Sequence, residues 1–172
     1  DIVTYGKALG GGVPMAAIGG SNEIMSGLEW GKVLHFGTHN AGRLALHICK
    51  TMLTTMLSDN QAGFVKIKDL GIKLTEEIQS ISKKNNKNKM ICQGVNSMFQ
   101  IFFTDQEKIC NYRDFCRSVD RIKFRNFALK LFDKGIYMNP SATLHSLSSI
   151  IHTEKDIEVT ARAIAETLDE MP

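Results

Sequence analysis

No cysteines in this sequence are paired in a way that could organise a fold. The four present, Cys49, Cys92, Cys110 and Cys116, include no C-x-x-C and no usual zinc-ligand spacing. Neither a disulfide framework nor a structural zinc is expected, and no metal site. They read as reduced thiols, mostly packed as small hydrophobes, in a cytoplasmic protein. Charge of one sign is also scarce. Lysine and arginine number 21 against 18 aspartates and glutamates, and a net charge of +3 is too small to mark a binder of nucleic acid or of an anionic membrane. No apolar run approaches the length of a bilayer span, which excludes a transmembrane helix. No signal peptide is visible at the start.

What is present is an ordinary globular composition. Hydrophobic residues make up 43% and charged residues 23% of 172 residues, enough for one domain with a core or one lobe of something larger. The chain opens in what reads as a short buried strand, Ile2 to Tyr5, whose apolar residues need partners. A fragment lacking an N-terminal part is expected on that ground.

Gly10, Gly11, Gly12 and Pro14 then make a loop, and Ala16 to Gly20 reads as a second strand. Ser21 is suited to cap a short helix with Glu23 in its first turn. Val33 to Phe36 is a further strand candidate. From Ala41 to about Leu57, Leu44, Ile48, Met52 and Met56 recur every four residues and predict a helix. A second helix is expected from about Gly63 to Ser82, with Phe64, Ile67, Leu70, Leu74 and Ile78 on its apolar side. The run Lys83 to Lys89 carries lysine and asparagine without aromatics and reads as a solvated turn.

Met90 to Val95 and Ser97 to Thr104 read as strands, the second apolar enough to lie inside a sheet. Asp114 to about Lys134 is expected to be one helix stopped by Gly135. Ile136 to Met138 and Leu147 to Ile151 are short strand candidates. Thr153 with Asp156 resembles a capping box, and Ile157, Ala161, Ile164, Ala165 and Leu168 then share a helical face. A break in organisation falls near Leu57 to Gly63. It separates residues 1–60, loops and short strands around Lys7 and Thr38, from a compact α+β unit at 61–172.

Two places carry chemistry. Lys7 stands between a strand and three glycines. An amine is a nucleophile only when neutral, and a cleft shielded from water lowers its pKa, so that it can condense with an aldehyde. The commoner reading of such a lysine is a solvent-facing residue after a strand, and spacing alone leaves both open. Gly37-Thr38-His39-Asn40 precedes a helix. Its hydroxyl and backbone amides suit an anion, or Thr38 or Asn40 simply caps the helix.

Taken in order, the segments "DIVTYGKALGGGVPMAAIGG", "GTHNAGRLAL", "SMFQIFFTD", "NYRDF" and "GIYMNPSATLHSLSSIIHTEKDIEVT" resemble the class III pyridoxal-phosphate aminotransferases. The branch they look most like is the glutamate-1-semialdehyde 2,1-aminomutases. The resemblance covers essentially the whole chain. It implies α/β and α+β architecture: the C-terminal part of a fold-type I transferase, with the end of the large cofactor-binding domain followed by the small C-terminal domain. Lys7 would hold pyridoxal 5′-phosphate as a Schiff base and move the proton between substrate and cofactor. Gly37 and Thr38 would contact the phosphate of a cofactor bound mainly by the partner subunit, which makes a homodimer with shared active sites. Gly10 to Gly12 would let the backbone pass close to the cofactor. The substrates would be a small-molecule amino donor and a carbonyl acceptor, with neither nucleic acid nor membrane involved.

The chain departs from that pattern in three places. Gly42-Arg43 replaces asparagine-proline, so that Arg43 either meets a substrate carboxylate or the phosphate, or lies in solvent. Asn96 replaces a glycine. Thr143-Leu144 replaces a phenylalanine-glutamate pair in the substrate loop. Losing that carboxylate favours intermolecular amino transfer over the aminomutase reaction, and it leaves His145 as the recognition candidate. His152 reads as structural. The aspartate, aromatic ring and glycine-serine pair that hold the cofactor in the family precede the lysine, outside this chain. The chain alone is therefore expected to bind the cofactor poorly and to be inactive. A non-catalytic folding or dimerisation module stands as the alternative to an enzyme.

Overall fold

The computed structural model describes residues 1–172, with residues 30 and 31 by their backbone alone. The chain divides into two compact units, Asp1–Gly63 and Phe64–Pro172.

In the first unit, β1 (Ile2–Tyr5) pairs antiparallel with β2 (Ala17–Gly20), in register from Ile2↔Gly20 to Tyr5↔Ala17. Both strands stand where alternation places them, but β1 is exposed along its whole length rather than buried as expected. The first unit's own residues do not cover it. Among those described, only Gly10 and Cys49 are buried. Ser21 caps α1 (Asn22–Met25), its hydroxyl accepting from the Ile24 amide at 3.4 Å. Val33 to Phe36 forms no strand. It has no ladder partner among the described residues, so its β propensity is not used.

Helix α2 (Arg43–Lys84) is interrupted. Ser58 is extended, and Asp59, Asn60 and Gln61 take left-handed φ values of 48, 55 and 64°. Ser, Asp and Asn offer their side chains to nearby backbone and are poor helix-interior residues, so the break falls where the sequence is weakest. The result is the two successive helices read from the apolar stripes.

The second unit is a helix-on-sheet layer. Strands β3 (Met90–Val95), β4 (Met98–Phe103) and β5 (Ser146–Leu147) form an antiparallel sheet in that order. The apolar β4 lies in the middle. The β3–β4 turn places Asn96 at φ 52°, a conformation that asparagine tolerates where glycine is more usual. Gly71 of α2 lies against this turn, where a Cβ would stand 2.5 Å from the Ser97 Cα. Ile78, Ile101, Phe103, Phe124, Phe127, Leu131, Ile164 and Leu168 fill the core between sheet and helices.

The helix expected over Asp114–Lys134 is two helices, α3 (Tyr112–Ser118) and α4 (Arg121–Asp133). Val119 is extended. Asp120 gives its amide to the Phe103 carbonyl at 2.9 Å and accepts the Lys123 amide on its carboxylate at 2.8 Å, so a new helix starts there. Gly135 ends α4 at φ 80°, and the Ile136 amide returns to the Leu131 carbonyl at 2.9 Å. That C-terminal closure starts a loop where a strand was expected at Ile136–Met138. The strand expected over Leu147–Ile151 shrinks to β5, because Ser149 and His152 fold onto each other. The His152 amide donates to the Ser149 carbonyl at 3.1 Å, and the Ser149 amide donates to His152 Nδ1 at 3.0 Å.

Helix α5 (Glu154–Glu170) starts in a capping box: Asp156 N donates to Thr153 Oγ1 at 3.3 Å, and Thr153 N to Asp156 Oδ2 at 2.7 Å. The lysine- and asparagine-rich turn is mostly exposed, as expected of a solvated connection, but it is anchored at two points. Asn88 is fully buried and donates Nδ2 to the Leu168 carbonyl at 2.7 Å, and Lys87 Nζ donates to the Met171 carbonyl at 2.8 Å. The turn supplies donors to the orphan carbonyls at the end of α5, a role that apolar periodicity does not reveal.

Candidate functional site

The residues singled out in the first unit flank two turns. Residues 6–16 join β1 to β2 and begin as a ladder of tight turns. Leu9 N donates to Gly6 O at 3.2 Å, Gly11 N to Ala8 O at 3.0 Å, and Val13 N to Gly10 O at 3.2 Å. Lys7 enters this ladder with φ 54°. A left-handed lysine is strained, and such strain persists only where neighbouring structure holds it. Its side chain is exposed, and among the described residues no hydrogen bond or ion pair engages its ammonium.

The glycines have reasons within the chain itself. Gly10 is buried, and a Cβ there would stand 3.2 Å from Met15 Cβ. Gly11 has φ 58°, and a Cβ would stand 3.2 Å from Met52 Cβ and 3.3 Å from Ile48 Cγ2 of α2. Gly12, at φ 106°, faces open space.

The second turn leads into α2. Asn40 N donates to Gly37 O at 3.0 Å, and the Asn40 side chain lies over Gly37, where a Cβ would be 2.9 Å from Oδ1. Neither Thr38 nor Asn40 caps the helix. Gly42 holds the cap position, its carbonyl accepting the Leu46 amide at 3.0 Å, and it has no side chain to offer the first amides. Thr38 is exposed, with no hydrogen bond from its hydroxyl among the described residues, and Arg43 is exposed with no ion pair. The first turn of α2 thus offers uncapped amides and the Arg43 guanidinium, a pairing that suits an anion, and the exposed Thr38 lies in the turn just before it.

His145 belongs to the second unit. It helps line a cleft of about 400 Å³ with Gln100, Phe102, Tyr112 and Thr143. Gln100 is buried and donates Nε2 to the Ala142 carbonyl at 2.9 Å. Of the four thiols, Cys49 and Cys92 are buried, whereas Cys110 and Cys116 are exposed. Burial pushes the Cys92 thiol up to about 12, which makes it inert at neutral pH. Lys7 was legible as a candidate from residue type and neighbours, and Arg43 from the place where the sequence departs from the pattern it resembles. The left-handed backbone of Lys7 and the Gly11 contact with Ile48 and Met52 were not, because a tertiary approach leaves no periodic signal.

Comparison with known proteins accords with this layout. The family model described as aminotransferase class-III matches residues 1–171. A glutamate-1-semialdehyde 2,1-aminomutase of Alkaliphilus oremlandii is 38% identical over 172 residues, covering 99% of this chain and 38% of the relative. The protein of the same description from Clostridium kluyveri is 34% identical over 165 residues, covering 95% of this chain and 38% of its own length. The chain therefore spans well under half the length of the curated relatives it matches. Among solved structures, a β-phenylalanine aminotransferase from Variovorax paradoxus superposes with a TM-score of 0.87 at 23% identity, over 99% of this chain and 38% of that one. An omega-transaminase from Sphaerobacter thermophilus gives 0.81 at 22%, over 98% and 38%. These likenesses show the fold as mixed α and β, the C-terminal portion of a fold-type I transferase.

Proposed function

Because the chain belongs to the class-III aminotransferase family, we propose that it carries the reactive lysine of a site using pyridoxal 5′-phosphate, which moves an amino group between an amine or amino acid and a carbonyl acceptor. The observation that carries this reading is Lys7. Its amine, without a partner among the described residues, stands on strained backbone just after β1, in the same unit as an uncapped helix start preceded by the exposed Thr38.

The residues present fit two parts of the cofactor. A primary amine suits its aldehyde, and Thr38 with the first amides of α2 suits its phosphate. When bound, the cofactor supplies an electron-withdrawing ring that acidifies the adjoining substrate carbon. Lys7 Nζ would hold the cofactor through its aldehyde carbon, the aldehyde oxygen leaving as water. Freed by the substrate amine, the same Nζ would act as base and then acid at the substrate α-carbon. Thr38 Oγ1, with Gly37 beside it, would hold the phosphate, in a homodimer that of the partner's cofactor. Arg43 and His145 are assigned to recognition of the substrate's polar groups. The exposed thiols of Cys110 and Cys116 suit a reducing cytoplasm, and no helix among the described residues is long and apolar enough to cross a membrane.

Intramolecular transfer, the aminomutase reaction, is the second reading. The 34% and 38% identities to curated aminomutases favour it, and Thr143-Leu144 in the loop beside His145 opposes it. Two measurements on the full-length protein test these statements. Borohydride reduction of the cofactor-loaded protein, followed by peptide mass mapping, is expected to place the pyridoxyl group on Lys7; a label elsewhere sinks the assignment. Turnover of an amine plus a keto acid, with little conversion of glutamate 1-semialdehyde alone, is expected for intermolecular transfer. The opposite pattern establishes the aminomutase.

A further inference from the structure

The strain at Lys7 needs a support, and the structure has one. Lys7 at φ 54° lies inside the turn closed by Leu9 N and Gly6 O. The same ladder runs on through Gly11 N to Ala8 O and Val13 N to Gly10 O. A run of turns is stiff but can slide as a body unless something fixes it. Gly11 is where this one is fixed. It sits at φ 58° against the half-buried Ile48 and Met52 of α2, so close that a Cβ would stand 3.2–3.3 Å from both side chains. The helix that receives the ladder also begins at the turn carrying Thr38. The loop bearing the amine and the turn bearing the hydroxyl are thus referred to one rigid element.

We propose that Gly11, with Ile48 and Met52 beneath it, is the positioning contact for Lys7. The approach of the Gly11 backbone to α2 locks the turn ladder in place and holds the lysine on its left-handed backbone. This rests on the reading of Lys7 as the reactive amine. Glycine at 11 serves two separable purposes, the left-handed φ and the absence of a Cβ. Alanine violates both. Asparagine tolerates the left-handed region and violates only the contact, and removing the Met52 side chain down to its Cα takes away the nearest atom, its Cβ.

The test uses the full-length protein with Gly11→Ala, Gly11→Asn and Gly11→Asn/Met52→Gly. In the cofactor-free protein, hydrogen exchange at the Leu9, Gly11 and Val13 amides is expected to accelerate at least tenfold in both single variants, and to return towards wild type in the double variant. In the loaded protein, the dissociation constant for pyridoxal 5′-phosphate is expected to rise about tenfold or more in the single variants, again with recovery in the double. Thermal midpoints separate this from general unfolding. Wild-type exchange and affinity in Gly11→Asn, or losses that Met52→Gly leaves unchanged, overturn the proposal. If borohydride labels a residue other than Lys7, the functional reading fails while the exchange result still decides the contact.

Discussion

Lys7 and Asn88 show how much a single residue's surroundings change its meaning. Residue type and neighbours made Lys7 a candidate, and its backbone conformation now separates it from the chain's other lysines. Asn88 went the opposite way. In a run of lysines and asparagines it looked like solvent-facing filler, yet it is fully buried with its amide on the Leu168 carbonyl. Substituting Asn88 with Ala orphans that carbonyl in a place water does not reach, so a loss of about 1–3 kcal/mol is expected. Urea denaturation of the wild type and variant measures it. A change below a few tenths of a kcal/mol would mean that the carbonyl finds another donor.

Individual elements were legible in the sequence to the extent that apolar spacing specified them. The stripe Leu44, Ile48, Met52, Met56 and the apolar run of β4 each marked an element that the structure contains. Where one side chain redirects the backbone, spacing carries no signal. Asp120 splits a continuous amphipathic pattern into α3 and α4, and His152 folds a β-branched stretch into a turn. The capping box at α5 was readable because its two residues sit at a fixed offset.

That box also makes the stability of α5 depend on pH. The Asp156 carboxyl is held below its ordinary 3.8, first by the Thr153 hydroxyl and then by the Thr153 amide. A depressed folded-state value contributes stability that is present above the ordinary value and lost as pH falls through the folded one. Asp156→Asn is therefore expected to melt below wild type at pH 7, the gap closing as pH drops below about 4. Thermal melts at pH 7 and pH 2 check this, and a gap of constant size would refute it.

At the scale of the whole molecule, core and chemistry are segregated. The second unit holds nearly all the buried apolar residues. The first unit carries Lys7 and Thr38 but, among its described residues, buries only Gly10 and Cys49, leaving Ile2, Tyr5, Leu34, Phe36 and Leu44 exposed. A site needs its walls as well as its nucleophile, and the 38% share of the relatives' length leaves most of such an enzyme outside this chain. The 172-residue chain, titrated with pyridoxal 5′-phosphate, is expected to develop no saturable visible absorption beyond that of a Lys7→Ala control. A strong Lys7-dependent band would show that these residues suffice.

The middle position of β4 has a consequence for the order in which the second unit assembles. Its partner on one side, β3, is reached through the two residues Asn96 and Ser97, whereas β5 on the other side pairs Ser146 with Phe99 across a far longer stretch of chain. Closing a short loop forfeits little chain entropy and closing a long one forfeits more. During synthesis the β3–β4 hairpin can zip while Ser146 is still in the ribosome. Its far edge then waits as an open template until the last third of the unit arrives to cover it.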